Sequence, residues 1–128
     1  MYKRQGLAGH ELSFTAGIQQ RQYTHINDIV HFLITNIKNK TSGIFNLTDT
    51  AVLPVKEVIE KAISALQKHM KLKPKTIFGQ ITKRDQNMFF LGISTAVLKN
   101  NFIFEPSITL EEGIEEYISY YAKHKNTF

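Results

Sequence analysis

The chain has 128 residues and a mass of 14.7 kDa, which fits a single domain and is long enough to bury a core if its partners are present. It contains no cysteine, which excludes a disulfide framework and any thiolate metal site or nucleophile. No stretch approaches the roughly 18 apolar residues of a membrane span, and no charged-then-apolar signal sequence is visible at the start. We therefore expect a soluble, cytoplasmic protein.

The formal net charge of +5 and the pI near 9.5 raise the question of nucleic-acid binding. Residues 1–5 resemble a translated sequencing adapter, and without Lys3 and Arg4 the charge falls from +5 to +3. The other basic residues are interleaved with acidic ones, as on a solvated surface. A stand-alone basic α/β module that binds RNA or a protein partner is the alternative, and it would need exposed aromatic residues among the basic ones on one face.

In chain order, the first predicted element is a strand over residues 11–15, in which Leu12 and Phe14 share one face. Residues 23–26 alternate in the same way and predict a second short strand. Asn27 or Asp28 then offers the N-cap of a helix with apolar residues nearly all round, so we expect this helix to be largely buried.

Arg21 lies just before this strand-to-helix corner. A fixed guanidinium matches the oxygens of a phosphate through paired hydrogen bonds, so this position is a candidate anion site. The competing interpretation is a solvated surface arginine, since arginine side chains are mostly exposed.

Further along, residues 44–47 predict a strand, and Pro54 suits the first position of a helix with apolar residues at spacings of three and four. Residues 76–81 predict another strand, and Ser94 can cap a short helix that ends near residue 100.

The last predicted helix begins with a capping box formed by Thr109 and Glu112. Its expected buried face consists of Leu110, Ile114, Tyr117, Ile118 and Tyr121. Such a helix packs, and nothing in its sequence indicates chemistry.

Three ordered blocks of the sequence resemble the extended short-chain dehydrogenases/reductases, a family of NAD-dependent sugar-nucleotide epimerases, dehydratases and related reductases. The blocks are L-S-F-T-A-G-I-Q-Q-R-Q-Y-T-H-I-N-D (residues 12–28), G-I-F-N-L (43–47) and F-E-P-S-I-T-L-E-E-G (104–113). In the first block Gln22 replaces the usual acidic residue. Together the blocks span most of the chain.

The resemblance implies that residues 6–128 are the C-terminal, nucleotide-sugar-binding part of such an enzyme, an α/β fragment of mainly helices with a few short strands. An upstream part would then carry NAD or NADP, the catalytic Tyr and Lys, and most of a Rossmann-type parallel sheet. The resemblance also implies a homodimeric parent enzyme, with no nucleic acid and no membrane as partners.

The resemblance places Arg21 against the diphosphate of the nucleotide sugar and the strand with Leu12 and Phe14 near its base. Ordinary core packing is the alternative role for Leu12 and Phe14. The family has a second arginine on the diphosphate, but this chain has Thr82 at that position. Arg84, or its neighbour Lys83, could supply the charge from a shifted position, and a structural salt bridge is the alternative.

Catalytic and cofactor motifs are missing from the sequence. The seven glycines form no G-x-G-x-x-G turn, so we expect no dinucleotide binding by this chain alone. Tyr121 and Lys125 have the family's Tyr-x-x-x-Lys spacing, but they lie on a packing helix, and we interpret the match as coincidence. The five histidines include no pair four residues apart, so no metal site is predicted. We expect a chain that binds substrate and has no catalytic residue.

Overall fold

The computed structural model describes residues 11–39, 42–44, 46–48, 51–81 and 104–124. Within these residues the order of elements is β1 (Leu12–Phe14), β2 (Gln20–Gln22), α1 (Ile26–Lys38), β3 (Val52–Pro54), α2 (Val55–Met70), β4 (Thr76–Phe78) and α3 (Leu110–Lys123). The α/β class, mainly helical with short strands, is confirmed. The predicted leader at residues 1–5 and the helix predicted after Ser94 lie outside the described residues.

The strands form two small sheets. In one, β1 pairs in parallel with β4, and Phe14 lies opposite Phe78 with the ring centroids 5.5 Å apart. In the other, β2 pairs antiparallel with β3, and Arg21 lies opposite Leu53. Two-stranded sheets of three-residue strands are not stable by themselves in water. Both sheets therefore depend on the helices around them.

The core of the described part lies between α2 and α3. Ala65, Leu66 and Ile118 are buried there, and Met70 and Ile114 pack against them. Burial of a side chain as large as Leu or Ile contributes about 1.5 to 3 kcal/mol. The apolar spacing predicted for both helices is what brings these residues onto facing surfaces.

Ion pairs flank this core. Lys61 pairs with Glu111, and Lys68 pairs with Glu115 at 2.6 Å. Because the two pairs occur in the same order along both helices, α2 and α3 run in the same general direction. Pairs this exposed contribute little to stability.

Helix α1 is attached to the rest of the chain by one face. The Asp28 carboxylate, buried at 6% exposure, accepts hydrogen bonds from Ser107 N (3.1 Å), Ser107 Oγ (2.8 Å) and Ile108 N (3.3 Å). The Phe32 ring meets Phe104 edge-on, with centroids 5.3 Å apart. These contacts tie α1 to the segment that leads into α3.

The prediction that α1 is largely buried is wrong. Five of its seven apolar residues stand 44 to 74% exposed: Ile26, Val30, Leu33, Ile34 and Ile37. The sequence shows that these residues are apolar, but it does not show what covers them.

The strand predicted at residues 23–26 is also wrong. The strand lies at residues 20–22, where pairing with β3 fixes it, and α1 begins directly after His25. His25, and not Asn27 or Asp28, is the N-cap, because its Nδ1 accepts a hydrogen bond from Asn27 N at 3.3 Å. Asp28 is unavailable as a cap, since its carboxylate is bonded to residues 107 and 108.

The strand predicted at residues 44–47 does not form in the described part of that segment, where Ile44 is 96% exposed. The strand forms at residues 52–54, opposite β2. Pro54 is consequently the last strand residue and the N-cap of α2, with ψ of 138°, and Val55 takes the first helical position. The prediction for Pro54 was wrong by one residue because pairing with Gln20 holds it extended.

Helix α3 begins as predicted. The Thr109 side chain accepts a hydrogen bond from Glu112 N, and the Glu112 side chain accepts one from Thr109 N, so the capping box is confirmed. On the predicted buried face Ile118 is fully buried, but Tyr117 is 45% exposed. That part of the prediction is wrong.

Candidate functional site

A cavity of about 860 Å³ lies between β1, helices α2 and α3, and residues 19–25, which lead through β2 to the start of α1 and which we call the corner. Leu12 and Phe14 of β1 are among the residues that line it. Most of the other lining comes from the apolar faces of α2 and α3. Most of the polar lining residues belong to the corner: Gln19, Tyr23, Thr24 and His25. A largely apolar cavity with a few convergent polar groups is typical of a small-molecule site.

The loop between β1 and β2 positions the corner by attaching it to the start of α2. Gly17 O accepts a hydrogen bond from Lys56 N (2.9 Å), and Gln19 O accepts one from Val55 N (2.8 Å). Gly17 has φ of +69°, and a Cβ there would lie 2.8 Å from Lys56 Cβ. Both the backbone angle and the close approach require glycine.

Arg21 follows this loop on β2. Its guanidinium donates hydrogen bonds to Gln20 O (2.8 Å) and to Gln19 Oε1 (3.2 Å). The described lining of the cavity does not include Arg21, but it includes Gln19 and Tyr23 on either side of it. Burial raises the pKa of the Tyr23 hydroxyl, and the positive charge of Arg21 partly offsets this shift. Arg21 is therefore not among the described lining residues, but its positive charge lies close enough to Tyr23 to lower the pKa of that lining residue.

His25 connects the corner to α3. Its Nε2 lies 3.6 Å from Glu116 Oε2, and a Cβ on Gly113 would lie 3.0 Å from its Cδ2. Because Nδ1 accepts from Asn27 N, the neutral ring carries its proton on Nε2, toward Glu116. Gly113 leaves room for the ring against the helix.

Sequence reasoning missed two features of this site. Gln19, Tyr23 and His25 line the cavity but were not singled out as site residues. The contact between His25 and Gly113 joins the first and third resemblance blocks, and their joint presence was the signal that could have indicated it. The distance between His25 and Gly113 along the sequence does not by itself indicate that they are in contact.

The remaining predicted residues are not placed by the structure. Arg84, Lys83 and Thr82 lie outside the described residues, as does Lys125 of the Tyr-x-x-x-Lys match. Its partner Tyr121 lines the cavity from α3. Among the residues that the structure describes, no group of three His, Cys, Asp or Glu side chains could hold a metal ion. No described helix is long and apolar enough to cross a membrane.

No protein-family model and no curated protein matches the sequence. Solved structures do match the fold, and those described here are NAD- or NADPH-bound enzymes or sugar-nucleotide epimerases. The fold that the chain shares with them is a Rossmann-type α/β fold, as predicted.

UDP-glucose 4-epimerase from Thermotoga maritima, determined with UDP-glucose, is similar to this chain at a TM-score of 0.73 and 20% identity, over 97% of this chain and 38% of that one. dTDP-glucose 4,6-dehydratase from Bacillus anthracis, in complex with NAD, is similar at 0.72 and 23%, over 96% and 38%. RMD from Pseudomonas aeruginosa, complexed with NADPH, is similar at 0.73 and 16%, over 95% and 39%. The chain thus has the fold of a part of these enzymes and spans about two fifths of their length.

Proposed function

We propose that this chain is the substrate-binding portion of an NAD(P)-dependent nucleotide-sugar epimerase, dehydratase or reductase, and that it holds the nucleotide diphosphate. The observation that carries the proposal is the cavity bordered by β1 and by the corner at residues 19–25, with Arg21 beside it. The fold shared with enzymes of this class supports it.

Arg21 is assigned to the diphosphate because of its chemistry and its fixed position. Guanidinium groups bind phosphate oxygens through two parallel hydrogen bonds. The bonds to Gln20 O and Gln19 Oε1 hold the Arg21 side chain along β2. A side chain that is already ordered loses less conformational entropy when the ligand binds.

Strand β1 is assigned to the base. Phe14 lines the cavity and already stacks on Phe78, so a nucleobase placed against Phe14 would extend an existing aromatic contact. Leu12 is only 5% exposed, and we assign it to the floor beneath the base. Arg84 stays a predicted second contact to the diphosphate.

The described residues do not fit a dinucleotide pyrophosphate, which needs open backbone amides at a helix N-terminus. At the start of α2, the amides of Val55 and Lys56 already donate to Gln19 O and Gly17 O. At the start of α1, the amides of Asn27, Asp28 and Ile29 already donate to His25. NAD or NADP would therefore bind to another part of the enzyme, and no step of hydride chemistry is assigned to the described residues.

The test is the binding of UDP-glucose and dTDP-glucose to the chain, observed by saturation-transfer NMR on the ligand. Arg21→Ala should weaken binding by about 10- to 150-fold, which corresponds to the 1.5 to 3 kcal/mol of a hydrogen bond to a charged group. Arg21→Lys should restore only part of the lost affinity, because lysine keeps the positive charge but lacks the paired N–H groups of the guanidinium.

Lys123→Ala is the matched control, since it removes one positive charge at the exposed end of α3. Binding unchanged by Arg21→Ala would remove Arg21 from the site. Binding of single-stranded RNA in place of the nucleotide sugars would favour the basic-module alternative.

A further inference from the structure

Gln19 joins Arg21 to the cavity. It is one of the lining residues, whereas Arg21 is not among those that the structure describes. Gln19 Oε1 accepts a hydrogen bond from Arg21 Nη2 at 3.2 Å. The two residues are two positions apart, and side chains at that spacing share one face of an extended backbone. The guanidinium is therefore bonded directly to a side chain of the cavity wall.

The backbone on both sides of this contact is fixed. Gln19 O accepts a hydrogen bond from Val55 N at 2.8 Å, and Arg21 lies opposite Leu53 in the sheet of β2 and β3. Arg21 Nη1 also donates to Gln20 O at 2.8 Å. The two side chains thus meet from positions that are already held, so a ligand that uses them orders little further backbone.

The hydrogen bond also sets the orientation of the Gln19 amide. A guanidinium has only donors, so the amide oxygen faces it and the NH₂ group is directed elsewhere. Among the residues that the structure describes, none accepts a hydrogen bond from Gln19 Nε2. An amide whose oxygen is bonded to a cation is polarised, which strengthens its N–H groups as donors. Gln19 therefore offers a strengthened donor at the cavity.

The electrostatics of the cavity make such a donor necessary for an anion. The described lining contains no Asp, Glu, Lys or Arg, and His25 is the one described lining residue that can carry a charge. A phosphate group that leaves water without hydrogen bonds or a compensating charge is strongly disfavoured. The guanidinium of Arg21 is a permanent positive charge, and Gln19 connects it to the lining.

We propose that Gln19 is a binding and positioning residue for the diphosphate and acts with Arg21 as one unit. Its Oε1 holds the guanidinium, and its Nε2 donates to a phosphate oxygen. The assignment rests on the proposed function, which supplies the diphosphate. Arg21→Ala would leave the amide without the group that orients and polarises it. Gln19→Ala would leave the guanidinium without its link to the cavity.

The first experiment is a titration of the ¹⁵N-labelled chain with inorganic pyrophosphate, followed by the backbone amide shifts of residues 19–25. Gln19→Ala and Arg21→Ala should each weaken binding by about 10-fold or more. The double variant should bind within about twofold of Arg21→Ala alone, because either change removes the same unit. Gln20→Ala, which truncates the exposed glutamine next in the chain, is the matched control and should bind as the wild type does.

Two results of this titration would overturn the proposal. Single effects that multiply in the double variant would show two independent residues. A wild-type chain that does not bind pyrophosphate would show that the unit does not hold an anion.

The second experiment uses Gln19→Glu to remove the donor and keep the acceptor. A carboxylate still accepts from Arg21, but it has no N–H group and places a negative charge at the cavity. Pyrophosphate binding should fall at least as far as in Gln19→Ala, while the melting temperature should fall by less than about 2 °C. Binding equal to that of the wild type would overturn the proposal. A larger loss of stability in both Gln19 variants would assign Gln19 to the fold and would also overturn it.

The two proposals fail separately. UDP-glucose that does not bind, while pyrophosphate binds through Gln19, would contradict the proposed function alone. Nucleotide-sugar binding that Arg21→Ala weakens and Gln19→Ala leaves unchanged would contradict this inference alone.

Discussion

At the scale of single residues, Gly17 shows how a motif position acquires a physical reason. The resemblance to known enzymes identified this glycine by its place in a sequence pattern. The structure adds that the residue has φ of +69° and that its carbonyl accepts a hydrogen bond from Lys56 N. The glycine thus fixes the loop that leads into β2 and Arg21.

Gly17→Ala should therefore lower the free energy of unfolding by more than the about 1 to 2 kcal/mol that a left-handed backbone costs an alanine. Gly79→Ala is the matched control, because Gly79 also has positive φ, +86°, but nothing lies within 4 Å of its would-be Cβ. Urea unfolding of both variants gives the comparison. Equal losses of unfolding free energy in the two variants would show that the close contact with Lys56 adds nothing to the cost of an alanine at position 17.

Asp28 is a second residue whose role the sequence did not predict, since a cap was expected and a cross-chain acceptor was found. Burial alone would raise the pKa of its carboxyl, but the hydrogen bonds from Ser107 and Ile108, with the charge of His25 nearby, hold that pKa below its usual value. A carboxyl with a lowered pKa in the folded state stabilises the fold above its unfolded pKa of about 3.9. This stabilisation is lost as the pH falls through the folded-state pKa.

We predict that the stability difference between the wild type and Asp28→Asn is largest near about pH 6 and shrinks toward about pH 3. Urea midpoints measured at several pH values test this. Glu105→Gln is the control, because Glu105 is an exposed acidic residue on the same segment. A difference that does not depend on pH would mean that the charge of Asp28 does not matter to its hydrogen bonds.

At the scale of secondary-structure elements, local signals were sufficient where the determinants are local. The capping box of α3 and the apolar repeat of α2 were predicted from residues only a few positions apart, and the structure confirms both. The positions of β2 and β3 depend on pairing between residues 30 to 34 positions apart, so the local sequence pattern placed both strands wrongly. The exposure of α1 depends on which partner covers it, and no local pattern encodes that.

The packing of α2 against α3 gives a prediction at this scale. Ile118→Ala should lower the free energy of unfolding by about 2 to 5 kcal/mol, because it opens a cavity in the core. Ile37→Ala makes the same chemical change on α1 at a position 74% exposed, against 6% for Ile118. The second change should stay within about 0.5 kcal/mol in the chain alone. Similar losses for the two variants would place Ile37 in the core.

At the scale of the whole molecule, the described residues form a small core, two short sheets and one helix with an outward apolar face. The class of fold could be predicted from three blocks of sequence, and so could the cavity residues Leu12 and Phe14. The polar corner with Gln19, Tyr23 and His25 could not, because it is assembled by contacts among the β1–β2 loop, α2 and α3. The site is therefore formed by packing between separate elements, and the sequence motifs predict only some of its residues.

The central claim is that this cavity and its polar corner hold a nucleotide diphosphate. The most direct test is a titration of the ¹⁵N-labelled chain with UDP-glucose, followed by the chemical shifts of its backbone amides. We predict saturable shifts at residues 12–14 and 19–25, which Arg21→Ala reduces. No shifts, or shifts confined to the exposed apolar face of α1, would contradict the claim.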